Sequence, residues 1–186
     1  RRGKRFRPTA QKLGGKRQFP LLLDPNTSTV LYESADIVDY LFKTYAGRPT
    51  PRAYRSGVLK PVLGGLGSLA RGMRGTTARR ARRPKQLLEL WSFESSPYSR
   101  LVRERLTELE LAYVLHNIGK EQFGDMGPAA LRVRPGPYVP QPGGRREQVL
   151  SAHGRVQVPY LEDPNTGTKL YESADIIDYL EHQYAV

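Results

Sequence analysis

From residue 86 onward the apolar positions follow two periods in turn. QLLELWSF (86–93) is a near-continuous apolar and aromatic run with one acid, which predicts a buried strand. Ser95 or Ser96 then supplies an N-cap and Pro97 suits a first helical turn. Tyr98, Leu101, Val102, Leu106 and Leu109 recur on one helical face. AYVLHN (112–117) predicts a second strand, and the Gly/Pro-rich stretch within 127–144 predicts irregular chain. RREQVLSAHG predicts a short helix, VQVPYLED (156–163) a strand, Asn165–Gly167 a turn and TKLY (168–171) the antiparallel partner. A last helix is expected to start at Ser173 as its N-cap, with Asp175 in the first turn and Ile176, Ile177, Leu180 and Tyr184 buried. The order is βαβ followed by ββα.

Part of this pattern occurs twice. PLLLDPNTSTVLYESADIVDYLFKTYA (20–46) returns as PYLEDPNTGTKLYESADIIDYLEHQYA (159–185), 139 residues later, with 19 of 27 positions identical. Only the second copy is preceded by an opening strand, helix and strand. The organisation expected is therefore 1–47, the C-terminal part of a first domain; 48–85, a linker; and 86–186, a complete second domain. The apolar residues of the first copy, including Leu21, Leu23, Ile37, Val38 and Leu41, would then need a cover from elsewhere, either an N-terminal stretch of the same protein or a neighbouring subunit.

Charge sharpens that division. The net charge is +12, and it is concentrated where the apolar pattern is weakest. Residues 1–18 carry eight Lys/Arg and no acid, and residues 48–85 carry eleven and no acid. Within the linker, Leu59, Val62, Leu63, Leu66, Leu69 and Met73 recur at spacings of three and four, interrupted by Gly64, Gly65 and Gly67. A bridging helix is the first expectation. Residues 58–83 could also meet an anionic membrane surface through Arg71, Arg74, Arg79, Arg80, Arg82 and Arg83. Nucleic acid ranks below an acidic protein surface, because Tyr54 is the one aromatic of the linker and no RNA-binding module is visible. The chain has no cysteine, which excludes disulfides, thiolate metal sites and thiol redox chemistry within it. His116, His153 and His182 show no ligand spacing.

The strand–SxxS–helix opening, the Val-Pro before the third strand and the Glu-Ser before the last helix resemble the thioredoxin fold in its glutathione-transferase N-terminal form. The paired QFPLLLDPNT and VQVPYLEDPNTG segments, each followed by YESADI, are similar to plant and algal plastid proteins with two such domains. The resemblance implies an α/β fold of tandem thioredoxin-like domains, the first incomplete, and a chloroplast location. It also implies a reactive corner of the form Cys-Pro-aromatic-Cys, where this sequence has Ser96-Pro97-Tyr98-Ser99.

That replacement removes the redox chemistry. A thiol at a helix N-terminus is held as thiolate and attacks disulfides, and a serine hydroxyl does neither without an activating base. The resemblance leaves one ligand open: in serine-type transferases a hydroxyl at this corner hydrogen-bonds the thiolate of bound glutathione. Ser95, Ser96 or Ser99 could do so here, with Val158 and the cis-proline position Pro159 presenting backbone, and Glu172 and Ser173 holding the γ-glutamyl end. A transferase also needs an all-helical acceptor domain, which does not follow here. The expectation is a non-redox binding or scaffold protein, a structural subunit of a larger plastid or thylakoid-membrane assembly with no cofactor of its own. The alternatives are a glutathione-binding serine-type transferase or isomerase-like enzyme, and an RNA-associated subunit.

Overall fold

A computed structural model describes residues 3–54, 74–126 and 137–186. The chain divides into two compact units, Arg1–Thr77 and Ala78–Val186. The amphipathic pattern expected over 58–73 lies outside the described residues.

The first unit holds α1 (Arg7–Gly14), β1 (Leu22–Asp24), β2 (Thr29–Leu31) and α2 (Ser34–Tyr45), followed by a 3₁₀ turn at Arg52–Tyr54. β1 and β2 form an antiparallel hairpin that pairs Leu22 with Leu31 and Leu23 with Val30. Helix α1 was not legible in the basic N-terminal segment, because it buries only Ala10 and so leaves almost no apolar stripe to read. Gly15 ends it at φ 85°, the left-handed conformation that glycine adopts without steric cost. Asp24, at the end of β1, ties the hairpin to α2. It accepts hydrogen bonds from the Asn26 N–H (2.9 Å), the Tyr40 hydroxyl (2.6 Å) and the Tyr45 hydroxyl (2.5 Å).

The second unit holds β3 (Leu88–Ser92), α3 (Pro97–Glu108), β4 (Tyr113–Asn117), α4 (Arg145–His153), β5 (Tyr160–Asp163), β6 (Thr168–Leu170) and α5 (Ser173–Tyr184). Its sheet runs in the order β4-β3-β5-β6, with β3–β4 parallel and the other two pairings antiparallel. This is the thioredoxin-like βαβ-ββα architecture. Leu88, Leu90 and Leu161 from the sheet close a core with Val102 and Leu106 of α3 and Ile176, Leu180 and Tyr184 of α5. On the other face, where alternate side chains of β3 point, Trp91 packs into a smaller cluster of Ile118, Val149 and Val156. A row of rings continues across that face: His116 stacks on Trp91 at 4.2 Å, Trp91 meets Tyr160 at 5.1 Å, and Tyr160 stacks on Tyr171 at 4.2 Å.

Four details differ from the sequence expectation. The strand expected over 156–163 forms only at Tyr160–Asp163. Ser173 is the first helical residue of α5, and Glu172 occupies the cap position without a side-chain cap bond. Tyr98 leaves the buried face of α3 and is exposed, while Val102 and Leu106 stay inside. Finally, residues 78–82, expected as linker, belong to the second unit. The Arg79 N–H donates to the Glu108 carbonyl (2.7 Å), the Arg82 N–H to Tyr184 (2.7 Å) and the Val186 N–H to Arg80 (3.3 Å). The Arg79 guanidinium forks onto Glu181 at 2.6 and 3.0 Å.

Candidate functional site

The corner between β3 and α3 opens onto a cleft of about 940 Å³ in the second unit. Pro97 fixes the backbone dihedral that begins α3, and Ser96 caps it, accepting the Ser99 N–H at 3.2 Å. Ser96 is only 4% exposed, so its hydroxyl is turned inward to that cap. Ser99 is fully buried, and among the described residues its hydroxyl has no hydrogen-bond partner and it does not line the cleft. Ser95 does line it and is exposed.

The remaining sequence candidates come together. Val158, Pro159, Glu172 and Ser173 all line the same cleft as Ser95 and Ser96. The Val158–Pro159 bond is cis, as is Phe19–Pro20 at the matching place in the first unit. Glu172 accepts a hydrogen bond from the Gln157 side chain at 2.6 Å, and Glu33 does the same from Gln18 at 2.6 Å.

A second wall was not anticipated. Asn117 at the end of β4 and Lys120, Asp125 and Met126 from the chain after it, with Tyr138 and Arg146, line this wall. Asp125 organises it: the buried carboxylate accepts the Glu121 N–H (2.8 Å), the Gln122 N–H (3.2 Å) and the Tyr138 hydroxyl (2.8 Å), with the Arg146 guanidinium 3.5 Å away. Burial pushes its pKa up, and these hydrogen bonds together with the Arg146 charge more than offset that, leaving it below the ordinary carboxylate value. Arg146 is held in turn by the Gly119 carbonyl at 2.8 Å. The only hint in the sequence was a lone Asp and an Arg separated by irregular chain.

The profile of the glutathione S-transferase N-terminal domain family matches residues 2–49 and 90–186, more than half of the chain. This protein belongs to that family. No curated protein matches the sequence. Within a glutathione S-transferase N-terminal domain, the chemistry left at this corner is limited by its hydroxyls. No histidine lines the cleft among the described residues, and no group of three or more His, Asp or Glu there could hold a metal ion.

The two corner serines give opposite expectations for stability. Ser96→Ala removes a cap and is expected to cost about 0.5–2 kcal/mol. Ser99→Ala removes a buried hydroxyl that satisfies nothing, so its chemical-denaturation midpoint should stay level or rise. A Ser99→Ala protein that loses as much as Ser96→Ala would show that the Ser99 hydroxyl is paired.

Proposed function

We propose that this chain is a non-redox binding protein, a structural subunit of a larger assembly that works through its surfaces rather than through covalent chemistry. The observation that carries this reading is the state of the corner: Ser96 is nearly buried and accepts the helix-cap bond from the Ser99 N–H, and Ser99 is sealed in the core. The plastid location, with attachment to a thylakoid assembly, belongs to the same proposal and rests on the resemblance carried by the two YESADI segments. Arg79 is engaged within the second unit, sharing Glu181 with Arg105, so its end of the basic run is partly spent inside the fold.

A second reading is favoured by the gathering of Ser96, Val158, Pro159, Glu172 and Ser173 on one cleft, the arrangement that would receive glutathione. Two measurements separate the readings. The chain is expected to leave insulin and glutathione mixed disulfides at their uncatalysed rate of reduction, and to take up no glutathione at micromolar concentration in titration calorimetry. Micromolar binding that disappears in Glu172→Ala would promote the ligand-binding reading. Reduction above background would overturn the non-redox assignment.

A further inference from the structure

The basic run enters the second unit as a strap. Helices α3 and α5 begin at the cleft, which Ser96, Pro97, Glu172 and Ser173 line, and each runs for 12 residues, so their far ends lie about 18 Å away. Those ends carry main-chain carbonyls that find no partner within their own helix. Residues 79–82 cross them. The Arg79 and Arg82 N–H groups donate to the carbonyls of Glu108 and Tyr184, and Ala81 forms an antiparallel bridge with Ala185. Ala81 packs against the core, and the Arg79 side chain reaches Glu181.

Alternation along an extended segment then sends Arg80 and Arg82 to the side opposite Ala81, about 7 Å apart along the backbone. Both are exposed, and exposed Arg83 and Lys85 continue the charge towards β3. Among the described residues none of these four has an acidic partner, whereas Arg79, Arg103, Arg105, Arg146 and Lys169 each have one. The rest of the unit has the opposite sign. Residues 86–186 carry ten Lys/Arg against fourteen Asp/Glu, so the positive charge is local to the strap.

We propose that the strap is a docking surface for an extended acidic segment of a partner protein, with carboxylates at alternate positions meeting Arg80 and Arg82. The proposal rests on the binding-protein reading and specifies a surface remote from the cleft. Alternate side chains of an extended partner repeat at the same interval of about 7 Å, so a single register serves both guanidinium groups. Hydrogen bonds through Arg79, Arg80 and Arg82 hold the backbone before any partner arrives, which lowers the ordering cost of binding. A nucleic acid fits less well, because residues 78–86 hold no aromatic ring on which a base could stack. A membrane also fits less well. The nonpolar residues of the strap, Ala78, Ala81 and Pro84, are half-buried, so no exposed apolar side chain of the strap would accompany the arginines into a bilayer.

The test uses the full chain and two synthetic peptides of equal length and composition, half glutamate and half threonine, titrated at low and at physiological salt. In one the glutamates alternate with the threonines; in the other they form a single block. The alternating peptide is expected to bind saturably and severalfold more tightly than the block, with an affinity that falls as salt rises. Arg80→Glu/Arg82→Glu should weaken that binding at least about tenfold, and Arg80→Gln/Arg82→Gln severalfold. Both should leave the urea midpoint unchanged, since neither side chain has a partner in the fold. Lys12→Glu/Lys16→Glu makes the same change in net charge and should leave binding intact. Equal affinity for the two peptides would overturn the proposal, as would an equal loss in the Lys12/Lys16 variant. So would tighter, strap-dependent binding of polyuridine RNA or of phosphatidylglycerol vesicles, or self-association of the chain that Arg80→Glu/Arg82→Glu removes. None of these outcomes touches the reductase and glutathione measurements, so the two proposals fail separately.

Discussion

Replacing Asp163 by alanine is expected to destabilise the second unit by about 2–4 kcal/mol, because it strands the buried Tyr184 hydroxyl and removes the shared acceptor of the part-buried Tyr179 and Asn165 donors, at roughly 1–3 kcal/mol for an unsatisfied buried group. The carboxylate is 1% exposed and accepts from the Tyr179 hydroxyl (2.6 Å), the Tyr184 hydroxyl, and the Asn165 N–H and side-chain amide (both 2.8 Å). Burial alone raises its pKa; the hydrogen bonds from Tyr179, Tyr184 and Asn165 prevail and hold it below the ordinary value. A depressed carboxylate stabilises the fold fully above the unfolded value of about 3.9 and loses that contribution as the pH falls through the lower folded value. The urea midpoint of the wild-type protein should therefore fall with acid below about pH 4, and Asp163→Ala should fall less steeply. Some slope will remain, since Asp125, Glu162 and Glu181 are depressed as well. An unchanged acid slope in Asp163→Ala would remove Asp163 from the explanation. Asp24→Ala breaks the same bonds in the first unit, where Tyr45 is open to water, and should cost clearly less.

Leu180→Ala and Leu41→Ala form the second large contrast. The two leucines occupy equivalent places in sequences that are 19 of 27 identical, so helix propensity and local neighbours nearly cancel. Leu180 sits in the core among residues of β3, α3 and β5, and its truncation should cost about 2–5 kcal/mol through lost burial and the cavity left behind. Leu41 is already 40% exposed, so its truncation should change the stability of the isolated chain by less than about 1 kcal/mol. Amide exchange resolves the two units separately. Equal losses at both positions would mean that the first unit has a closed core.

The hairpins and the long helices were legible because their cues are local. Asp-Pro-Asn-Thr turns, Pro97 after a capping serine, and apolar spacing in α3 and α5 all act within a few residues of themselves. The repeat made one copy a check on the other. What escaped depends on distant partners or on the absence of an apolar stripe. Helix α1 buries only Ala10 and leaves its single leucine, Leu13, exposed. Residues 78–82 read as a basic tether, and only the carbonyls of Glu108 and Tyr184, far along the chain, reveal them as part of the fold. The cleft wall around Asp125 likewise needs Tyr138 and Arg146 to be brought back across an irregular stretch. The Ser173 cap failed by one position, a margin that composition alone does not resolve.

The attachment of residues 78–82 bears on mechanics. Tension entering the second unit from residue 77 meets the Arg79–Glu181 fork and the main-chain bonds at Glu108, Tyr184 and Val186 before it reaches any strand. Those contacts can peel away one after another while Leu88, Leu106 and Leu180 stay packed. In a single-molecule pull from residue 77, these border contacts are therefore expected to break before the strands separate, leaving the cleft intact in the first step.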